Sequence, residues 1–336
     1  MNIIYTFNDG FVPQVATSIV SICENNKAEK IKFYLIVDDI SRENCHNLKN
    51  MIKGYDQESE IIQIGNIRKQ FDFEFDTSGW NPVIVTRLLV DKFLPQSVDR
   101  VLYLDGDTIV RGSLADLYST DLGDAVIGAV IEPIASSKNK KALDINDAYY
   151  NSGVLLIDMR KWRKEQIGQK MIQFYHDHDG KLFAPDQDVI NGVLKNKIYT
   201  LSPKYNLCTY FLHYPYRFFK KIMYPTKYIS KSEFDVSVAD PVIVHFLGED
   251  RPWRTGNTHK YRDDYLKYFS KTPWKDTPRE DGWQAYFFFY NIFDIVTKPF
   301  PSLRYRFLNT FFPVLVNIRA RRNAKVEQGS RNDSEK

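Results

Sequence analysis

Short, largely apolar runs alternate from the N-terminus with stretches in which apolar residues recur every third or fourth position. Residues 2–7 read as a strand that empties into the polar turn Asn8-Asp9-Gly10. Ala16, Ile19, Val20 and Cys23 then follow the i, i+3, i+4, i+7 spacing of one helical face, and Asn25-Asn26 ends that helix. A second strand is expected over 31–37. Ser41 caps a helix carrying Leu48, Met51 and Ile52, which Gly54 closes, and a third strand covers 61–64. Strands alternating with helices in this way predict an α/β fold with a mainly parallel sheet flanked by helices.

The pattern continues less regularly. Residues 66–81 read as a loop and 83–93 as a helix stopped by Pro95. Arg87 sits on that helix among Ile84, Leu88 and Leu89, where a lone arginine is expected to be solvated or ion-paired. Apolar strands are expected over 101–104, 125–131 (ending at Glu132), 154–157 and 242–244. Lys138-Asn139-Lys140-Lys141 reads as a polar, mobile loop, and 161–176 as one amphipathic helix with Ile167, Met171, Phe174 and Tyr175 on its apolar side. Asn151 and Gly153 suggest a tight backbone at a strand entrance. Asp186-Gln187-Asp188 opens a further apolar run, where one aspartate is the expected helix cap.

With 336 residues, 43% of them apolar, the chain is too long and too apolar to be disordered. Cys23, Cys45 and Cys208 are odd in number and lack metal-ligand spacing, so neither a disulfide framework nor a zinc site is indicated, and a reducing cytoplasm fits. The first residues lack the layout of a secretory signal. A net charge of +4 gives no reason to expect nucleic acid as a partner.

The chemistry concentrates at Val101-Leu102-Tyr103-Leu104-Asp105-Gly106-Asp107, a buried-strand pattern that ends in two carboxylates separated by one glycine. In extended backbone alternate residues point the same way, so Asp105 and Asp107 can grip one divalent ion while Gly106 leaves room for a phosphate. The plainer alternative is a surface turn. A second polar block, His245-Phe246-Leu247-Gly248-Glu249-Asp250-Arg251-Pro252-Trp253, follows the last strand.

Taken together, Leu104-Asp105-Gly106-Asp107, Asn151-Ser152-Gly153, Asp186-Gln187-Asp188 and His245-x-x-Gly248-x-x-Arg251-Pro252-Trp253 resemble, in order and separation, glycosyltransferase family 8, the group that includes glycogenin and bacterial lipooligosaccharide galactosyltransferases. The resemblance implies a GT-A-type, Rossmann-like catalytic domain over 1–275. It also implies retaining transfer of a hexose, galactose first and glucose second, from a UDP-hexose to a hydroxyl of a glycan or lipid-linked oligosaccharide. By it, Asp105, Asp107 and His245 are metal ligands. Two carboxylates and an imidazole suit Mn²⁺ better than Mg²⁺. Thr6, Asn8 and Asp9 fall where the family holds uridine, with Asn8 less acidic than usual. Arg87 matches a donor-contacting arginine, and Asn151, Ser152, Gly153, Asp186 and Gln187 match the donor-hexose lining. Gly248 and Arg251 match the Gly and Lys that face the departing diphosphate, with Arg251 replacing Lys. Gln187, Asp186 and Arg251 are the implied catalytic residues, and Glu132 stands where an Asp is common.

After Pro273-Trp274 the composition turns aromatic and aliphatic, from Trp283 through Tyr286, Phe287, Phe288 and Phe289 to Val296. Arg304, Arg306, Arg319, Arg321 and Arg322 flank the next apolar run. Residues 276–322 are expected to form a helical extension, read first as lying on the anionic inner face of the cell membrane and alternatively as a helical pair packed on the core, and 323–336 a disordered tail. No stretch is long enough to span a bilayer. Two competing readings are a nucleotidyltransferase, which would not require the late His245-x-x-Gly248-x-x-Arg251 block, and a catalytically silent membrane-docked binding protein, against which the intact Asp105, Asp107 and His245 speak.

Overall fold

The computed structural model describes residues 1–135, 137–223 and 229–310. Its strands are β1 (Asn2–Phe7), β2 (Lys32–Val37), β3 (Glu58–Gln63), β4 (Arg100–Leu104), β5 (Thr108–Val110), β6 (Ile127–Ile131), β7 (Tyr150–Asp158), β8 (Ile198–Thr200), β9 (Leu207–Cys208) and β10 (Ile243–His245). A seven-stranded sheet runs β3-β2-β1-β4-β7-β6-β8. Every neighbouring pair in it is parallel except those that β7 makes with β4 and β6. β6 and β7 are buried at every position, the mark of strands covered on both faces, and this is why β6 and residues 154–157 of β7 read as unbroken apolar runs.

Chain order steps outward from β1 to β3 and then resumes with β4 on the other side of β1. The crevice beyond the carboxyl ends of β1 and β4 is therefore the topological switch point, where open α/β sheets hold ligands. Because β7 is reversed, its first residues, Asn151 to Gly153, arrive at this same end. A second sheet, β5-β10-β9, stands beside it. In that sheet His245 pairs with Thr108 across an antiparallel register and with Cys208 across a parallel one.

Several expected elements differ in detail. Pro82–Leu89 is a 3-10 helix and only Val90–Phe93 is α-helical. Asn81 caps the 3-10 segment by accepting the Val83 N–H. The expected helix over 161–176 is two helices, Met159–Lys164 and Ile167–Asp177, because Gln166 adopts a left-handed conformation between them. The polar segment read as a loop forms a short helix, Ser137–Ala142. β7 starts before Asn151, so the Asn151-Ser152-Gly153 block lies within the strand rather than in a turn ahead of it.

The C-terminal extension has two faces. Its helix Gln284–Thr297 and the helical residues 301–310 bury Phe287 and Arg304 to 1% exposure against the rest of the protein. Arg304, expected among the headgroup-facing cations, instead pairs with Asp294 and lies over the Tyr214 and Phe293 rings. Asp294 also meets His213 Nδ1 at 2.8 Å, and Tyr290 Oη lies 3.2 Å from His213 Nε2. On the other face Phe288, Phe289, Ile295 and Val296 are each more than half exposed. Arg319, Arg321, Arg322 and the tail over 323–336 lie outside the described residues.

Arg304→Ala is expected to remove the ring contacts and leave Asp294 with His213 alone, and so to free the extension locally, at a cost of about 2 kcal/mol, or on the order of thirtyfold faster amide exchange across Gln284–Thr297, with β1 and β4 unaffected. The bond from His213, helped by Arg304 and opposed by burial, holds the Asp294 carboxyl at about 2, below its ordinary 3.8. A depressed carboxyl stabilises the fold above its unfolded value, so this contribution is full near pH 4 and is lost as the pH falls through about 2. Exchange measured across that window checks the sign.

Candidate active site

The register of the two sheets assembles the site. Asp105 N–H bonds to Gly153 O at 2.8 Å, which extends the β4–β7 ladder by one residue and sets Gly153 beside the carboxylate. Phe246 N–H bonds to Asp107 O at 2.9 Å, which continues the β5–β10 pairing and brings His245 against Asp107. His245 Nε2 lies 3.2 Å from Asp107 Oδ1 and 3.8 Å from Asp105 Oδ2. One ligand atom from each of Asp105, Asp107 and His245 falls within 4.8 Å of the others. A Cβ on Gly153 would come within 2.2 Å of His245 Cε1 and 2.8 Å of Asp105 Oδ2, so only glycine keeps this cradle open.

These side chains fit a divalent cation. Asn206 Oδ1 lies 2.9 Å from His245 Nδ1, and Asn206 Nδ2 donates to Asn151 Oδ1 at 2.8 Å. Since the amide nitrogen is already donating, Asn206 Oδ1 accepts from His245 Nδ1–H, and Nε2 is left facing the two carboxylates, the tautomer a metal ligand needs. Burial alone would push the His245 imidazole down, but the Asp107 carboxylate outweighs it and holds it well above its ordinary value. For Asp107, burial pushes up and His245 wins, so its carboxyl is held low. Asp105 is pushed up by burial despite its arginine partner. A cation taking this place would relieve the repulsion between Asp105 and Asp107 and displace the His245 proton.

Arg87 is the second organising group. At 4% exposure it is buried rather than solvated. It reaches Asp105 Oδ1 at 2.8 Å and Asp186 Oδ2 at 3.1 Å, donates to Ser152 O at 2.9 Å, and lies over the Tyr103 ring at 4.6 Å. Tyr103 Oη donates to Asp105 Oδ1 at 3.0 Å and also meets Thr6 Oγ1 at 2.9 Å, which ties the end of β1 to the carboxylate. The first turn of helix Pro185–Val193 supplies the other wall. Asp188 is the structural member of its trio: it accepts from the Ala184 N–H at 2.9 Å and from Tyr149 Oη at 2.5 Å. Asp186 Oδ2 accepts from Ser152 Oγ at 2.8 Å, and Gln187 Oε1 from the Ser152 N–H at 3.0 Å.

Other predicted residues are placed differently. A Cβ on Gly106 would fall 2.6 Å from Val15 Cγ2 and 3.0 Å from the Phe11 ring, so close packing on the first helix demands glycine there, a different reason from room for a phosphate. Gly248 has φ +67°, which strains any L side chain. Asp9 Oδ1 is engaged by the Ser41 N–H at 3.0 Å and Asn44 Nδ2 at 2.7 Å, while Asn8 makes no capping bond to the turn it opens. Arg251 reaches Asp107 at 4.0 Å. Glu132 accepts from Asn151 Nδ2 at 2.9 Å, and burial pushes its carboxyl up. Sequence reasoning missed Asn206 and Tyr103. Tyr103 sits on the strand that carries the motif, but nothing in the local pattern around Asn206 marks it.

Residues 2–256 match the family described as Glycosyl transferase family 8. General stress protein A of Bacillus subtilis (strain 168) is 27% identical over 280 residues, which cover 82% of this chain and 94% of that protein. A lipopolysaccharide 1,2-glucosyltransferase of Escherichia coli is 28% identical over 284 residues, covering 82% of this chain and 80% of the relative. Among solved structures, galactosyltransferase LgtC in complex with donor and acceptor sugar analogues shares the fold with a TM-score of 0.70 at 22% identity, covering 82% of this chain and 99% of that one. Fold, switch-point crevice and family match agree, and the chain belongs to glycosyltransferase family 8, as a glycosyltransferase of the GT-A fold.

Proposed function

We propose that this glycosyltransferase moves a hexose from a UDP-hexose to a hydroxyl of a lipid-linked glycan, with retention of the α configuration, in the building of a surface polysaccharide or lipooligosaccharide. The observation that carries the reading is the convergence of Asp105, Asp107 and His245, with Arg251 beside them and Asp186 and Gln187 joined to them through Arg87 and Ser152. Galactose is the first choice of donor sugar and glucose the second; the names of the relatives divide between the two.

Asp105, Asp107 and His245 would hold the cation, Mn²⁺ before Mg²⁺, because an imidazole nitrogen suits the softer ion. When bound, the ion neutralises charge on the diphosphate leaving group. Arg251 meets the same developing charge from the protein side, which is electrostatic stabilisation of a leaving group and needs no strong base. The resemblance to the family puts Gln187 where a nucleophile has been considered, but its amide oxygen already accepts the Ser152 N–H. That bond fixes which way the amide points and supports an electrostatic role at the anomeric carbon, shared with Asp186. Arg87 bridges Asp105 and Asp186 from opposite sides of its guanidinium.

The exposed face of the extension supports attachment to the inner face of the cell membrane. No helix of the described residues is long and apolar enough to cross a bilayer. Phe288, Phe289 and Ile295 project from a helix whose other side is anchored, and Lys298 and Arg306 are exposed nearby, an arrangement suited to the headgroup layer of an anionic membrane.

Asp107→Asn is expected to keep the fold, seen as an unchanged circular dichroism spectrum, and to lower Mn²⁺-dependent hydrolysis of UDP-galactose or UDP-glucose by at least about a hundredfold. Wild-type turnover by this variant would remove Asp107 from the metal site. Release of UDP, rather than pyrophosphate, separates glycosyl transfer from nucleotidyl transfer. For the membrane, the full chain should sediment with vesicles containing anionic lipid, and the triple variant Phe288→Ser, Phe289→Ser, Ile295→Ser should stay in solution with donor hydrolysis intact. Salt should weaken attachment only in part, since the apolar contribution is not screened. Equal sedimentation of both proteins would sink the membrane assignment.

A further inference from the structure

Arg251 is poorly secured by its own contacts. Its only ion-pair contact among the described residues is Asp107, at 4.0 Å, and its buried Nε has no hydrogen-bond partner there. What fixes the guanidinium is the pair of rings beside it, Trp253 at 5.5 Å and Phe11 at 6.0 Å, which meet each other edge to face at 5.8 Å. The backbone adds a tight turn, in which Arg251 N–H bonds to Glu249 O at 2.9 Å and Arg254 N–H to Arg251 O at 3.1 Å. The position of Arg251 is therefore inherited from Trp253 and Arg254.

Both of those residues end on one carboxylate. Glu280 Oε1 accepts from Trp253 Nε1 at 2.9 Å, and Glu280 Oε2 accepts from Arg254 Nε at 2.8 Å. Its main chain pairs with the same segment: Glu280 N–H bonds to Trp253 O at 3.0 Å, and Thr255 N–H to Glu280 O at 2.9 Å. Arg254 is 7% exposed, is gripped from its other side by Glu249, and lies 3.5 Å from the Trp283 ring. Gly256, with φ +81°, lets the chain pass so close to Gln284 that a Cβ would come within 2.8 Å of its Cα. Glu280, Trp283 and Gln284 all lie beyond the family-matched residues 2–256.

We propose that Glu280 is a positioning residue for glycosyl transfer, holding the loop that carries Arg251 through Trp253 and Arg254. The proposal rests on Arg251 facing the departing diphosphate. Charge on that group grows toward the transition state, so a displaced Arg251 lowers turnover more than it raises the donor KM. A misplacement on the order of 1 Å costs up to about a hundredfold, and partial release of the loop about tenfold.

The experiment is a double-mutant cycle on the full chain, with Mn²⁺-dependent hydrolysis of UDP-galactose and UDP-glucose and calorimetric titration of UDP as its two readouts. Glu280→Ala is expected to lower kcat about tenfold with the donor KM within about twofold, and to weaken UDP binding about as much as it lowers kcat. Arg251→Ala should cost more, and the double variant should fall within about twofold of Arg251→Ala alone, because the two changes remove one interaction. Glu280→Gln keeps an acceptor for the Trp253 indole and the main-chain pairing, and should retain activity between wild type and Glu280→Ala; it carries the same cycle if Glu280→Ala fails to fold. Unchanged kcat in Glu280→Ala, or effects that multiply in the double variant, overturns the proposal. Wild-type kcat in Arg251→Ala overturns the leaving-group role of Arg251 itself, and the proposal with it.

Discussion

Three carboxylates, Asp105, Asp107 and Asp186, meet at the mouth of a buried sheet, and no α/β core tolerates that without compensation. Like charges brought together in a low dielectric raise one another's pKa or push the structure apart. Arg87 supplies the compensation from within: it spans Asp105 and Asp186 on opposite edges of its guanidinium and rests on Tyr103. His245 answers Asp107 from the second sheet. Much of the local architecture follows from keeping these partners in place, including the 3-10 geometry that carries Arg87 and the Ser152 that braces it. Removing a buried charge's partner costs several kcal/mol because the remaining charge is stranded, so this network tolerates change poorly at any member.

The parts of the fold that the sequence made legible are those with long, unmixed patterns. β1, β2 and β4, the first amphipathic helix and its Ser41-capped successor carry enough residues for a period to show. The pair Asp105 and Asp107 was visible because charge interrupts an apolar run at a strand end. Of the small sheet only β10, expected over 242–244, was legible: β9 has two residues and β5 three, too few to display any alternation. Asn206 stayed hidden for the same reason, since its role comes from lying between Asn151 and His245 in space. Arg87 was visible but its burial was not, because a helical pattern shows which residues share a face, not whether a carboxylate waits beneath it.

The C-terminal extension shows how far composition alone can mislead. An aromatic stretch with nearby arginines describes a membrane-facing helix and a docked helix equally well, and here one helix is docked on one side and exposes apolar side chains on the other. Phe287 and the Asp294–Arg304 pair face inward while Phe288 and Phe289 face outward. Just ahead of that helix, Glu280 and Trp283 meet Trp253 and Arg254 across the boundary expected at residue 275. An exchange of this segment between relatives would have to bring the partners of Arg254 with it.

The small β5-β10-β9 sheet has one more consequence, for how the protein comes together. Its strands have three, three and two residues, and they are drawn from distant parts of the chain. Contacts between distant segments wait on the closure of long loops, so they form late in folding. His245 and Asp107 meet only through this sheet. The proposed metal-ligand set is therefore completed by a patch of a few buried residues, and its assembly depends on loop closures that the seven-stranded sheet's β1–β2–β3 half does not need.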